Sequence, residues 1–362
     1  MKKVMLMIGT RKGAFLAFSD PDRKRWDLRG PFFKGTQVNH MTHVGGNAEA
    51  ICSTVKNEWW GPDVRFSKDL GETWLEPTRG VRFDEGRDLS VERVWVLEGD
   101  ERSGEPLLYA GVDPGALFKS SDGGETWNEV RSLTEHPTRA QWQPGAGGMM
   151  VHSISLDPEN QDRMFVGISA AGVFRTDDGG KTWAAKNRGV RADFLPNKLP
   201  EVGQCVHHME MHPTNTSVLY QQNHCGVYRT ESAGDEWTDI SEGLPSRFGF
   251  GLAVHPHDGD TIYVCPEESD QNRITPDGAL RIFRSRDRGS SWEALTDGLP
   301  QTDAYQLVLR AAMTADSLDP VGVYVGTQSG QVFGSRDEGD HWEVLFPWLP
   351  PVYSVTTAVV EV

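Results

Sequence analysis

Of the eleven histidines in this 362-residue chain, five (His40, His152, His207, His208 and His224) fall at matching places in a repeat described below. Imidazoles that are distant in sequence but gathered on one rim suggest a metal or proton-transfer site. With Glu92 or Gln204 as an oxygen ligand, three or four of them would hold one divalent ion of the zinc or manganese type. The alternative is a set of channel-lining imidazoles bonded to water. Cys205 and Cys225 flank His207 and His224 and could add a soft ligand, although inert buried thiols are commoner. Five carboxylates map to the same rim: Glu58, Glu92, Asp113, Glu267 and Glu268. They are the candidates for a glycosidase pair, which needs one protonated and one ionised group across a cleft. Trp59 and Trp60 offer indole faces to a sugar ring, or cap a blade. Arg11, Arg93 and Lys56 could grip a substrate carboxylate, Asn39 and Gln306 could hydrogen-bond a ligand, and Tyr305 could move a proton. Three other histidines read as turn chemistry: His212 and His255 precede prolines where Asp157-Pro158 stands in another repeat, and His341 replaces a threonine.

The elements that must position these groups follow from self-comparison. The octapeptide Ser67 to Trp74 recurs as Ser120 to Trp127, Thr176 to Trp183 and Ser285 to Trp292, with the pattern S/T-x-D-x-G-x-T/S-W. Weaker copies run from Thr230 to Trp237 and from Ser335 to Trp342, and a relic from Ser19 to Trp26. The seven tryptophans that close these segments are 48 to 56 residues apart, a period of blades or solenoid coils. Within a period four short strands recur, as in Val151 to Leu156, Met164 to Ile168, Val173 to Arg175 and a tryptophan-bearing strand, which is the pattern of a propeller blade. Lys3 to Thr10 and Gly13 to Phe18 read as second and third strands, so the first repeat lacks an inner strand. Val352 to Val360 supplies it, which closes the ring and leaves no open sheet edge. The expectation is an all-β, seven-bladed propeller of four-stranded blades forming one domain over 1–362. Its approximate blades are 1–30 plus 351–362, 36–77, 90–131, 149–188, 203–242, 248–297 and 304–347.

The aspartates of the boxes (Asp69, Asp122, Asp178, Asp287 and Asp337) sit in tight turns, where a carboxylate accepts backbone N–H bonds and holds a hairpin, so their reading is structural. The four intact boxes resemble the Asp-box (BNR) repeats of sialidase-like propellers, a resemblance that spans nearly the whole chain as architecture. Such repeats also occur in xyloglucanase-type glycosidases, sorting receptors and a photosystem assembly factor, so the resemblance implies a fold and leaves the chemistry open. It implies that the box turns lie on the face opposite the active site. Function is then sought where the inner strands begin. Their first column is Tyr353, Asn39, Glu92, His152, His207, Phe250 and Tyr305; the next is Ser354, His40, Arg93, Ser153, His208, Gly251 and Gln306. A sialidase in the strict sense departs from this sequence: that family carries an arginine triad and a Phe-Arg-Ile-Pro element, absent here, and six blades.

Composition narrows the partners. With 36 Lys+Arg against 52 Asp+Glu the net charge is −16, which argues against a nucleic-acid binder. Val4 to Ile8 is too short for an export signal or a membrane span, and four cysteines without C-x-x-C spacing fit a reducing cytoplasm. Oligomeric state is not readable. The expected function is a carbohydrate-active, glycosyl-hydrolase-like or small-acid-processing enzyme that takes a saccharide or other small molecule. The alternatives are a metal-dependent lyase of uronate-type substrates, similar to metal-containing seven-bladed uronate lyases, and a non-catalytic binding or assembly scaffold.

Overall fold

Seven antiparallel sheets stand around a central channel in the computed structural model, which describes residues 2–45, 50–100 and 107–361. Blade 1 pairs Val352–Glu361 with Lys2–Thr10, then Gly13–Ser19 and Asp27–Phe32. Blades 3 to 7 each run outward through four strands in chain order, from inner strands Arg93–Asp100, Met150–Leu156, Val206–Met211, Gly249–Val254 and Met313–Ala315. In blade 2 (Met41–Val44, Ala50–Asn57 and Gly61–Ser67) the fourth strand shrinks to a Phe66–Leu75 bridge.

The middle strands are apolar on both faces because each blade is covered by a neighbour on either side, so period-two alternation gives way to continuous apolar runs. Gly13–Ser19 and Met164–Ser169 are buried at every position. The core is accordingly divided into clusters between blades. One of them packs Phe66 and Val64 of blade 2 against Val94, Phe118 and Trp127 of blade 3. The box tryptophans are the plates of these clusters: Trp127, Trp183, Trp237 and Trp342 are all buried.

Ring closure is as expected: the register runs from Lys2 opposite Glu361 to Thr10 opposite Val352. A buried ion pair reinforces it. Arg23 of blade 1 donates to both carboxylate oxygens of Asp316 in blade 7 at 3.1 and 3.0 Å, and Tyr324 Oη donates to Asp316 at 2.7 Å. Asp316 stands in the turn after an inner strand, the place that Asp157, His212 and His255 take in other blades. There, His212 Nδ1 accepts the Thr214 and Asn215 N–H groups and His255 Nδ1 accepts those of His257 and Asp258, as Asp157 accepts Glu159 and Asn160. These imidazoles substitute for a turn aspartate.

The box aspartates are consumed by their turns. Ser67 Oγ donates to Asp69 and accepts the Gly71 N–H, while Asp69 accepts both the amide and the hydroxyl of Thr73, all within 2.5 to 2.8 Å. The same network repeats around Asp122, Asp178 and Asp287. These hydrogen bonds hold the Asp178 carboxyl at about 2.

Candidate functional site

The inner strands begin at the end of the barrel opposite the boxes, and five of them carry a β-bulge there. The ladder skips Tyr353, Trp95, His152, His207 and Phe250, one residue per blade. The residue after each skipped one pairs with the next strand of its own blade, which in three blades offers a glycine: Ser354 faces Gly9, Val96 faces Gly111 and Ser153 faces Gly167. Those glycines let the following blade approach. A methyl group on Gly111 would lie 2.5 Å from the Val151 carbonyl oxygen. A bulge re-aims a side chain without ending the strand.

The bulges correct the expected columns. In blade 3 the residue at the rim column is Trp95, three positions beyond Glu92. In blade 7 the inner strand is Met313–Ala315, and residues 305–310 run as an irregular segment, so Tyr305 and Gln306 stand before the column. Hydrophobic alternation finds a strand but not its first residue, and an inserted bulge residue leaves the alternation intact on either side.

Trp95, His207 and Phe250 converge on a mouth cavity of about 400 Å³, walled also by Gln143 to Gly147, Ser169, Phe194, Cys205, His224, Arg273 and Arg310. Cations and rings alternate across it. Arg93 lies 5.0 Å from the Trp95 ring centre, Arg310 lies 5.7 Å from Trp95 and 4.7 Å from Phe250, and Arg273 lies 5.6 Å from Phe250. His207 stacks on Phe250 at 4.5 Å. Among the described residues none of these three arginines has a carboxylate within ion-pair distance, and Nε of Arg93 and of Arg310 is buried without a hydrogen-bond partner. Burial brings the Arg310 guanidinium down to about 10, with Arg273 and Arg93 adding repulsion.

Two of the five histidines, both from blade 5, meet here. One ligand atom each from Cys205, His207 and His224 lies within 4.8 Å of the others. Burial holds both imidazoles neutral and pushes the Cys205 thiol up. His40, His152 and His208 stand apart from them. They line a channel cavity of about 570 Å³ further along the inner strands, with Glu98 and Glu210. There His152 Nε2 bonds Ser169 Oγ at 2.8 Å, His208 Nε2 bonds Glu210 at 3.1 Å and His40 Nδ1 accepts the Leu97 N–H at 3.3 Å. His208 occupies the position after the bulge of blade 5, so its side chain leaves on the channel side, and His40 stands just before the inner strand of blade 2, Met41–Val44.

The remaining candidates are dispersed. Glu267 is fully buried, and burial raises its carboxyl to about 8 against the pull of the Val308 amide, Arg273 and Arg310. Neither of its carboxylate oxygens reaches the cavity. Burial also raises Asp113, which Arg93 and Lys56 pull back. Glu92 is exposed and accepts a bond from Ser90 at 3.0 Å. Arg11, Lys56, Glu58 and Trp59 line a separate depression of about 500 Å³ over blades 1 and 2. Trp59 and Trp60 are 86% and 89% exposed and Tyr305 is 61% exposed. Asn39 is buried and spends its amide on the Val94 carbonyl at 3.0 Å, and Gln306 bonds Gln331 at 3.2 Å. Arg273 and Arg310 are cavity residues that the sequence reading does not single out, because one sits in the loop after Ile262–Pro266 and the other in the irregular approach to blade 7.

No helix among the described residues is long and apolar enough to cross a membrane. No family model matches the chain. It is 29% identical over 265 residues to a xyloglucanase of a Paenibacillus species, covering 65% of this chain and 24% of that protein. It is 28% identical over 318 residues to the xyloglucanase Xgh74A of Acetivibrio thermocellus, covering 76% and 35%. The chain thus spans about a quarter to a third of the length of these relatives. Among solved structures it resembles an ancestral GH74 enzyme (TM-score 0.57, 17% identity, 85% of this chain and 38% of that one). It also resembles YCF48 of Cyanidioschyzon merolae (0.57, 14%, 85% of each chain) and apo AztD of Citrobacter koseri (0.58, 9%, 99% of each). These likenesses place the fold among seven-bladed propellers and the sequence beside xyloglucanases.

Proposed function

We propose that this chain is a carbohydrate-active, glycosyl-hydrolase-like protein whose mouth cavity takes a saccharide bearing an acidic group. The observation that carries the reading is that Arg273 and Arg310 line the cavity beside aromatic faces, with Arg93 on the Trp95 ring, and that none of the three has a carboxylate within ion-pair distance among the described residues. Aromatic faces pack against the C–H faces of a sugar ring, and guanidinium groups bind a carboxylate in a forked geometry. The sequence likeness to xyloglucanases supports a saccharide. The four buried, unpaired thiols support a reducing, cytoplasmic setting as part of the same proposal.

A second reading, lyase action on uronate-type substrates, is favoured by one further observation. Among the described residues no carboxylate lines the cavity, so the facing acid pair of a glycosidase is not assembled from them, whereas two neutral imidazoles are. Arginines on a uronate carboxylate would stabilise charge developing beside it, and an imidazole is the base for the adjacent proton.

The test is calorimetric titration with glucuronate and galacturonate beside glucose and a xyloglucan oligosaccharide. Acidic sugars are expected to bind, and Arg273→Gln to weaken them about tenfold, the equivalent of about 1.4 kcal/mol. Equal binding of neutral and acidic sugars, or an unchanged affinity in Arg273→Gln, would overturn the acidic assignment. Incubation with oligouronides separates the two chemistries: new reducing ends alone mean hydrolysis, and ultraviolet absorbance of a conjugated unsaturated uronate means elimination.

A further inference from the structure

Cys205, His207 and His224 are brought together by the local chemistry of blade 5. Cys205 immediately precedes the strand Val206–Met211, His207 is that strand's bulged residue, and His224 lies in the tight turn between Leu219–Asn223 and Gly226–Thr230. The His224 N–H donates to the Cys205 carbonyl at 3.0 Å and fixes the turn against the strand entry. In a regular strand residues two apart are separated by about 6.6 Å along the axis. The bulge bends the chain and gathers thiol and imidazole to within 4.8 Å.

What surrounds the trio is informative. His207 Nδ1 donates to the Gly249 carbonyl at 2.6 Å, and His224 Nε2 stands 3.5 Å from the Asp270 carboxylate. Each ring thus has one nitrogen held by an oxygen acceptor, which fixes the tautomer and leaves the other nitrogen with its lone pair. Metal-bound imidazoles are oriented in this way by outer carbonyls and carboxylates. The Cys205 Sγ is 3.5 Å from Ser169 Oγ and lines the cavity, a setting unlike that of Cys52 and Cys265, which are fully buried in the sheets.

We propose that Cys205, His207 and His224 bind one divalent metal ion of the zinc type, with a fourth coordination position open to the mouth cavity. One sulfur and two nitrogen donors suit zinc over calcium or magnesium, and three protein ligands with an open position are the arrangement of zinc sites that take a substrate or water. Tetrahedral bonds of about 2.0 to 2.3 Å place ligand atoms about 3.3 to 3.8 Å apart, so closing on the ion takes side-chain movement of about 1 Å. Arg273 and Arg310 oppose a cation here. A thiolate cancels one of the two metal charges, and the residual positive charge adds to the arginines in drawing an anionic ligand. Only the use of the open position rests on the saccharide reading; binding of the ion does not.

The test loads the full-length protein with Zn2+, and separately with Co2+, in the absence of any saccharide. Bound metal is read by elemental analysis after gel filtration and by the visible and near-ultraviolet spectrum of the cobalt form. Expected are one equivalent of zinc, a tetrahedral cobalt spectrum and a sulfur-to-cobalt charge-transfer band. Cys205→Ser and His224→Ala should bind at least about 100-fold more weakly, and Asp270→Asn about 10-fold more weakly. His208→Ala should keep its metal. The proposal is overturned if wild type holds less than about a tenth of an equivalent, if the cobalt form lacks the thiolate band, or if His208→Ala loses metal as Cys205→Ser does. Because wild type alone can fail the first two criteria, a variant that does not fold leaves the test decisive. Absence of metal with intact uronate binding would refute this site and spare the saccharide reading; the converse would refute only the latter.

Discussion

Replacing Glu267 by glutamine should flatten the pH dependence of stability. The folded chain holds this carboxyl protonated up to about 8, against an ordinary value of 4.5. Between those values the unfolded chain releases a proton that the folded chain keeps, so the folded state binds more protons and stability falls as pH rises. The direction is opposite to that of Asp69, Asp122, Asp178 and Asp287, whose values are lowered. From pH 5 to pH 7 the two values give a loss of about 2 to 3 kcal/mol, taking about 1.4 kcal/mol per pKa unit. Two effects compete for this group: removal from water favours the acid, and Arg273 and Arg310 favour the carboxylate. Burial prevails over these and over the Val308 amide, which does not reach either oxygen in regular hydrogen-bond geometry. The assay is urea unfolding of wild type and Glu267→Gln at pH 5 and pH 7. Wild type should lose about 2 to 3 kcal/mol relative to the variant across that interval. A difference that stays constant within about 0.5 kcal/mol would mean that Glu267 is ionised at both pH values and pairs with the arginines, and the burial argument would fail.

Three other outcomes follow from the closure, the bulges and the boxes. Arg23→Ala leaves the buried Asp316 carboxylate uncompensated and should cost about 3 to 5 kcal/mol in thermal unfolding, whereas Glu72→Ala, which breaks an exposed pair with Arg29, should cost less than about 1 kcal/mol. Gly111→Ala sets a methyl group 2.5 Å from the Val151 carbonyl oxygen and should lower stability by about 1 to 3 kcal/mol; an unchanged melting temperature would show that blades 3 and 4 can part there freely. Asp178→Ala should be less stable than wild type at pH 7, and the difference should vanish as pH falls through about 2, because the hydrogen-bonded carboxylate contributes only while ionised.

The parts of this molecule that were readable beforehand are those written in short range. Ser67, Asp69, Gly71 and Thr73 form their network within seven residues, so the box could be interpreted as a turn from its spelling alone. The closing strand was readable because an incomplete first repeat demands a partner. His152 and His207 are legible on their strands because Val151 and Val206 precede them in the same frame. Trp95 escapes the sequence for a physical reason: in Val94-Trp95-Val96 the bulge is silent, since both flanking valines remain apolar. Arg310 escapes it because residues 305–310 carry no strand signal. Arg273 reaches the cavity from a loop whose path no periodicity describes. The larger histidine cluster fails on direction: His208 is one residue past the bulge, and a shift of one residue turns a side chain to the other side.

The five bulges also separate two design problems that an ordinary inner strand would couple. In blades 3 and 5 the bulged residue, Trp95 or His207, faces the mouth and the next one, Val96 or His208, lines the channel, from consecutive positions on a backbone held by the same ladder. Substitution at Trp95 or His207 therefore changes the chemistry presented to a ligand while the channel lining of Val96 and His208 stays in place. A scaffold of this kind can exchange its specificity in single steps, blade by blade, without reopening the question of how the ring holds itself together.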